Sequence, residues 1–346
     1  MSQENTTTRI PALDGWRGIA ILLVLLDHTQ AALIGGYYRP WLQTGQHGVT
    51  IFFVLSGYLI TSKLLQGPID LKSFYLRRFF RLMPVAWIYL ASLWVTGELS
   101  GLHWISGREI ASCVFFYRNF FGPTHKIYAS HFWSLSIEEQ FYLVWPCLLL
   151  FAGIRRSRWF AICGALAIAS YRLLHWAAYD SAWVSFRTEV RADALLAGCL
   201  LALLLADARM RAEIQRWTRY IWLPALAALL FCIGHYPWLP PLYECLAIAV
   251  LIASAVLHPQ SILVRPLILA PLTWLGTVSY SVYVWQEFFL VHLGPATIPL
   301  ICIMPLFVLG SYYFIERPSA RFGHRLIVAP RSSRETLRTH SQPIET

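Results

Sequence analysis

The sequence predicts an all-α polytopic membrane protein. Of its 346 residues, 57% are hydrophobic and only 13% are charged, whereas about 25% of the residues in soluble domains are charged. Several hydrophobic runs extend for about 17 or more residues with few charges, the length that an α-helix needs to cross a bilayer. Because a backbone in lipid must satisfy its own hydrogen bonds, we expect these runs to be helices.

Ten hydrophobic runs are predicted to be transmembrane helices, and an eleventh segment is not. The predicted spans are residues 15–36, 47–65, 82–97, 133–153, 159–178, 192–206, 220–236, 242–257, 271–293 and 297–316. Residues 105–121 are also apolar, but they carry Arg108, Glu109, Arg118 and Asn119 and are short for a crossing. We therefore expect this segment to form one extra non-spanning or re-entrant helix.

Basic residues are distributed unevenly between the predicted loops. If the N-terminus is cytoplasmic, 20 of the 28 Lys and Arg residues face the cytoplasm and six face the outside. Cytoplasmic loops are enriched in these residues, so both termini are predicted to be cytoplasmic. The same topology explains the net charge of +10. The lipid bilayer is therefore the expected partner of the basic loops, and a nucleic acid is not.

The chain is predicted to have three segments. Residues 1–12 are polar and form a cytoplasmic N-terminal segment, residues 13–320 form the membrane domain, and residues 321–346 form a cytoplasmic tail. The end of the tail is rich in polar residues and has no hydrophobic periodicity. We expect the tail to be disordered, since it cannot bury enough apolar surface to fold.

The first span carries an arginine and a histidine on one face. Arg17 and His28 are 11 residues apart, which is close to three full helical turns, or roughly 16 Å along the helix axis. Ionisable groups inside a membrane are costly and are functional candidates. The alternative for His28 is a buried histidine that is satisfied by a neighbouring carbonyl.

Seven motifs in the same order resemble the acyltransferase 3 family of integral membrane O-acyltransferases, over about residues 9–320. They are the Arg17-x10-His28 pair, GVTIFFVLSGYLI at 48–60, RRFFRLMP at 77–84, HFWSLSIEEQFYLVWP at 131–146, RADALLAG at 191–198, LGTVSYSVYVWQ at 275–286 and IERP at 315–318. The sequence departs from the family at Gln286, where many members have histidine. A role assigned to that histidine cannot be carried over.

The resemblance implies a membrane acyltransferase of the type that modifies exopolysaccharide or lipopolysaccharide, multi-pass in a bacterial inner (plasma) membrane. The implied donor is a cytoplasmic acyl-CoA, often acetyl-CoA, and the implied acceptor is a hydroxyl of a cell-envelope glycan or lipid-linked saccharide. No metal is implied. The identity of the acceptor, the length of the acyl chain and the oligomeric state stay open.

Three residues are predicted to be catalytic. Acyl transfer to a hydroxyl needs a base and a group that stabilises developing negative charge. His28 is the predicted base, although the same imidazole could instead carry the acyl group. Arg17 is expected to guide the acyl arm towards His28. Glu138 resembles the glutamate of the family's W-S-L-x-x-E pattern and would bind an arginine or the acceptor hydroxyl; the alternative is an acid hydrated at the membrane surface.

Three arginines at the cytoplasmic start of the third span are predicted to bind the donor. Arg77, Arg78 and Arg81 lie within one turn and a half of helix. Guanidinium groups bind phosphates in a bidentate manner, so this cluster suits the phosphates of CoA. The alternative is the ordinary anchoring of a cytoplasmic helix end.

Arg191 and Asp193 open the sixth span two residues apart. Residues at this spacing do not face each other on a helix. We therefore expect each of them to pair with another helix, in a structural role.

A secondary transporter or flippase of a glycan or lipid-linked substrate is the alternative function. Ten spans with buried charges suit a transporter as well as an enzyme. However, transporter folds typically contain two related halves with interrupted helices. The sequence shows no internal repeat and few acidic residues that could couple transport to protons, so it favours the enzyme.

Overall fold

The computed structural model describes residues 10–33, 44–121, 128–178, 186–235, 242–290 and 297–327. Within these ranges most residues are helical and none is in a strand, which confirms the all-α prediction. The last helical residue described is Ile327. Residues 1–9 and 328–346 lie outside the described ranges, and with them most of the two predicted cytoplasmic segments.

The helices follow the predicted hydrophobic runs. They are α1 (Pro11–Leu33), α2 (Thr44–Leu64), α3 (Leu71–Leu99), α4 (Gly107–Val114), α5 (Phe132–Ala178), α6 (Thr188–Leu205), α7 (Ala208–His235), α8 (Leu242–Leu257), α9 (Val264–Leu267), α10 (Ala270–Leu290) and α11 (Thr297–Gly310), which continues through a wider turn at Ser311–Glu316. A single 3-10 turn, Arg118–Phe120, follows α4.

Five helices of the described residues are long and apolar enough to cross a membrane. They are Thr44–Leu64, Leu71–Leu99, Phe132–Leu174, Ala208–His235 and Pro299–Ile327. Each of the ten predicted spans overlaps a helix, but α1 and α6 carry charges within their apolar runs, and α8 has only 16 residues. The count of ten spans is therefore not confirmed and stays a prediction.

Two of the predicted spans correspond to the two helical segments of α5. These segments, within Phe132–Ala178, meet at a kink at Gly153, where the backbone is not helical and φ is 71°. This left-handed conformation favours glycine, and it separates the predicted spans 133–153 and 159–178. Residues 105–121, in contrast, contain only the eight-residue helix α4 and the 3-10 turn. At about 1.5 Å per residue, α4 is too short to cross a membrane.

The helices that carry the site residues pack closely through glycines. Helix α1 lies against α2 and α10, and α2 lies against α6. A side chain at Gly276 of α10 would collide with the Asp14 carbonyl of α1, and one at Gly57 of α2 would collide with the Leu195 carbonyl of α6. Small residues allow such close backbone approach between membrane helices. These contacts fix α1 relative to α2 and α10.

Candidate functional site

A cavity of about 100 Å³ lies between α1, α2, α3, α5 and α10. Four of the six predicted site residues line it: Arg17, Arg78, Arg81 and Glu138. The rest of its wall combines the apolar side chains of Val49, Phe52, Phe53, Leu82 and Leu135 with the hydroxyls of Ser56, Ser134, Ser279, Tyr280 and Tyr283. The structure therefore brings together charged residues from three helices that are far apart in the sequence.

Arg78 is held by contacts within the protein. Its Nε donates a hydrogen bond to Glu139 Oε1 at 2.9 Å, and its guanidinium carbon lies 3.2 Å from the centre of the Tyr142 ring. Its Nη2 lies 3.9 Å from Glu138 Oε2. Carboxylates thus offset much of its positive charge, and Arg78 is placed to fix Glu138 on the cavity wall and Glu139 beside it.

Glu138 is anchored on its other side by helix α2. The Ser56 hydroxyl donates a hydrogen bond to Glu138 Oε1 at 2.7 Å. Only 14% of the Glu138 side chain is exposed. This acid therefore belongs to the cavity rather than to the hydrated membrane surface, which was the alternative considered for it.

Arg17 and Arg81 bring less compensated positive charge to the same cavity. Arg17 Nη1 lies 4.0 Å from Asp14 Oδ1, at the outer limit of an ion pair. The Arg81 side chain forms no ion pair with another described residue. Two such guanidinium groups on one cavity wall suit an anionic ligand. Phosphate is the anion that they would bind best in a bidentate manner.

Arg77 does not line this cavity. It lines a neighbouring cavity of about 140 Å³ together with Lys63, Asp70 and Ser73. Arg77 and Arg78 are adjacent on α3, so they point about 100° apart around the helix. The predicted arginine cluster is therefore divided between two cavities, of which the second opens between the end of α2 and the start of α3.

His28 lies outside the first cavity. Its Nδ1 lies 2.9 Å from the Val24 carbonyl oxygen, and because a carbonyl only accepts hydrogen bonds, Nδ1 carries the proton. Nε2 is then free to accept a proton. A carbonyl therefore satisfies one ring nitrogen, as the structural alternative predicts, and the catalytic role of the other nitrogen stays a prediction. About 31% of the side chain is exposed.

Glu287 of α10 is the neighbour of His28 that sequence reasoning missed. Its Oε1 lies 3.8 Å from His28 Nε2, and only 1% of its side chain is exposed. It accepts hydrogen bonds from the Ser130 backbone N–H (3.0 Å), the Ser130 hydroxyl (2.6 Å) and the His131 backbone N–H (3.0 Å). His131 Nδ1 is also 2.7 Å from Oε2, although the ring N–H is not aligned for a hydrogen bond.

The signal for Glu287 was present in the sequence, since it is an ionisable residue in a predicted span. The preceding residue, Gln286, is the departure from the family pattern. Gln286 is fully buried, and neither atom of its side-chain amide has a hydrogen-bond partner among the described residues. The structure places no other predicted site residue against it.

Tyr283 and Ser134 connect the cavity to the Glu287 group. Both residues line the cavity. The Tyr283 hydroxyl donates a hydrogen bond to the His131 carbonyl at 3.0 Å and lies 2.5 Å from the Ser134 hydroxyl. His131 in turn holds Glu287 beside His28. The cavity that Arg17 lines is therefore linked, through Tyr283 and His131, to the Glu287 carboxylate beside His28.

Metal ligation has no candidate in the described part of the chain. No group of three or more His, Cys, Asp or Glu side chains there could hold a metal ion. The available chemistry is that of an imidazole, carboxylates, guanidinium groups and hydroxyls.

Comparison with known proteins gives one family. The family model described as an acyltransferase domain (acyltransferase 3) matches residues 10–316. YrhL of Bacillus subtilis (strain 168), whose name assigns it provisionally to peptidoglycan O-acetylation, is 32% identical over 91% of this chain and 56% of its own length. The peptidoglycan O-acetyltransferase OatA of Listeria monocytogenes is 30% identical over 80% of this chain and 49% of its own length.

A third relative, the O-acetyltransferase OatA of Staphylococcus aureus (strain MRSA252), is 28% identical over 95% of this chain and 60% of its own length. The chain thus spans 49–60% of the length of these relatives. No solved structure matches the chain.

Proposed function

The chain belongs to the acyltransferase 3 family, and we propose that it is a membrane-embedded O-acyltransferase. It moves an acyl group, with acetyl as the expected group, from acyl-CoA to a hydroxyl of a cell-envelope glycan. The observation that carries the proposal is the cavity that gathers Arg17, Arg81 and Glu138 and is connected through Tyr283 to the side chains beside His28. The names of two relatives, which refer to peptidoglycan, support a glycan acceptor.

We place the donor at the cytoplasmic face. The proposed topology has ten spans in a bacterial inner membrane and both termini in the cytoplasm, so the start of α3 lies at the cytoplasmic surface. Arg17 and Arg81 then bind phosphate groups of acyl-CoA, and Arg77 with Lys63 adds positive charge next to them. The slender acyl arm enters the cavity, and its length limits how far the thioester reaches.

His28 and Glu287 act together on the acceptor. Nε2 of His28 takes the proton from the acceptor hydroxyl, whose oxygen attacks the thioester carbonyl carbon. The new C–O bond forms, the C–S bond breaks, and the proton becomes available to the departing thiolate. The positive charge that develops on the imidazole is stabilised by Glu287, 3.8 Å away.

A second route through His28 uses the same atom. Nε2 could attack the thioester, carry the acyl group and pass it to the hydroxyl. Because Nδ1 is engaged by the Val24 carbonyl, both routes require Nε2. A direct route and an acyl-histidine route therefore share their dependence on His28 and on the carboxylate that faces it.

The test replaces His28 in the full chain. Cells that lack the gene are complemented with the wild type or with His28→Ala, and O-acylation of their glycans is measured by mass spectrometry. Loss of a general base lowers the rate by about 10²–10⁴-fold, so we expect no detectable acylation by the variant. His103→Ala is the matched control, because 66% of that side chain is exposed. Undiminished acylation by His28→Ala would refute the proposed role.

A further inference from the structure

A third cavity, of about 390 Å³, lies away from the acyl-transfer residues, between α7 and the end of α8. Arg219 and Trp222 of α7, Ser254 of α8, and His258 and Ser261 of the following turn contribute to its wall. No acidic residue lines it. Its size falls within the range of small-ligand sites.

Ser254 makes this cavity a candidate binding site. Only 1% of the residue is exposed, and its hydroxyl has no hydrogen-bond partner among the described residues. The Ser261 hydroxyl, on the same wall, is likewise without a partner in that part of the chain. A buried hydroxyl without a partner costs free energy. A ligand that accepts hydrogen bonds in the cavity would satisfy both hydroxyls.

The charge of the cavity indicates an anion. The Arg219 side chain forms no ion pair or hydrogen bond with any residue that the structure describes. His258 Nε2 donates a hydrogen bond to the Gln215 carbonyl at 3.0 Å, so this ring nitrogen is committed within the protein. The wall thus offers a guanidinium group and hydroxyls but no carboxylate. This combination suits the oxygens of a phosphate group.

The position of the cavity indicates how the phosphate is presented. Helix α7 is peripheral: Trp217, Tyr220 and Leu223 are more than half exposed. Tryptophan and tyrosine are enriched where membrane helices meet the headgroup layer, and basic pockets between helices bind anionic headgroups. Arg219 and Trp222 are three residues apart, so they share one face of α7.

We propose that this cavity binds a phosphate group, presented either by an anionic lipid headgroup or by a soluble phosphate compound. The site does not depend on the acyl-transfer function. Its recognition elements are the Arg219 guanidinium group, which neutralises the phosphate, and the Ser254 hydroxyl, which donates a hydrogen bond to one of its oxygens.

The test is a lipid titration of the delipidated full chain, followed by native mass spectrometry. Phosphatidylglycerol and phosphatidylcholine with the same acyl chains are compared, and inorganic phosphate is added as a competitor. We expect tighter binding of phosphatidylglycerol. Loss of one charge-assisted contact in Arg219→Ala should weaken binding about tenfold, and Ser254→Ala should weaken it about threefold.

Arg216→Ala is the matched control, because Arg216 is exposed on the same helix and does not line the cavity. Ser254→Ala keeps the net charge, so its effect cannot come from the overall basic surface. Displacement of the lipid by millimolar inorganic phosphate would support the site and assign it to a soluble phosphate. Equal weakening by Arg216→Ala and Arg219→Ala, together with no effect of Ser254→Ala in a folded protein, would overturn the proposal.

Discussion

Two groups of charged side chains in the helix bundle differ in how their charges are compensated. Between α2, α5, α6 and α8, buried charges stand in close pairs. Arg172 Nη2 lies 2.7 Å from Asp193 Oδ2, and His47 Nδ1 lies 2.9 Å from Glu244 Oε1. All four side chains are at most 6% exposed. This arrangement has the form of a structural group, because buried charges are tolerated when they are paired.

Around the cavity the arrangement is the opposite. Glu138 and Glu139 are held by hydrogen bonds from Ser56 and Arg78, whereas Arg17 has only a 4.0 Å contact with Asp14, and Arg81 forms no ion pair within the described residues. Charge that the protein itself does not compensate is available to a ligand. We therefore propose that the first group holds helices together and that the second binds the donor, and three substitutions test this division.

The largest effect on stability is expected in the paired group. Asp193→Ala leaves the Arg172 guanidinium buried without its carboxylate, which typically costs about 3–5 kcal/mol. Thermal unfolding in detergent should show a large decrease in Tm. The double variant Arg172→Met with Asp193→Leu removes both charges and should recover most of the stability. An unchanged Tm for Asp193→Ala would show that this group is not structural.

An intermediate effect, on the rate rather than on folding, is expected at Glu287. Glu287→Gln keeps the shape of the side chain but removes the charge that faces His28 and His131. A charge-assisted contact of this kind contributes about 1.5–3 kcal/mol, so kcat should fall about 10–100-fold while KM for acyl-CoA stays near the wild-type value.

The control for Glu287→Gln is Gln286→Asn, because Gln286 is buried on the same helix and contacts neither His28 nor Glu287 through its amide. A rise in KM with unchanged kcat would contradict the proposed role of Glu287 beside His28. It would indicate instead that Glu287 contributes to binding of the donor.

The smallest effect on stability is expected at Arg81. Arg81→Ala removes a cation that has no partner in the described part of the chain, so the free energy of unfolding should change by no more than about 0.5 kcal/mol. KM for acyl-CoA should rise about tenfold, because a phosphate contact is lost. Arg81→Lys should recover part of the affinity. A decrease in Tm as large as that expected for Asp193→Ala would contradict the distinction between the paired buried residues and the cavity residues.

Much of the fold could be predicted from the hydrophobic runs, because a chain segment in a membrane must satisfy its own backbone hydrogen bonds and therefore forms a helix. The short polar-bearing segment at 105–121 was also recognised as unable to cross. The break at Gly153 lies at the predicted end of the span 133–153, but the direct junction of the two helical segments there could not be predicted, since a glycine after an apolar run is as compatible with a loop as with a kink. Charged residues within an apolar helix, such as Arg191 and Asp193 of α6, also affect whether that helix is counted as a membrane span or as a shorter buried helix. In the structure these two residues pair with other helices.

Residues of the candidate site could be predicted where a single helix or a single sequence motif identifies them. Arg17 and Glu138 line the cavity together with Arg78 and Arg81, although the sequence alone does not show that their helices meet. The pairing of Arg78 with Glu139 was not foreseen, because it depends on the rotation of α3 against α5. Glu287 was missed for the same reason, since its partners lie on α1 and at the start of α5.

The most direct test of the proposed donor site is a structure of the full chain with a non-hydrolysable acetyl-CoA analogue. We expect the phosphates of the analogue to lie within ion-pair distance of Arg17 or Arg81. The acyl end should lie in the cavity against Tyr283, on the side that leads to His28. Phosphates bound to another part of the protein, with Arg17 and Arg81 still facing an empty cavity, would contradict it.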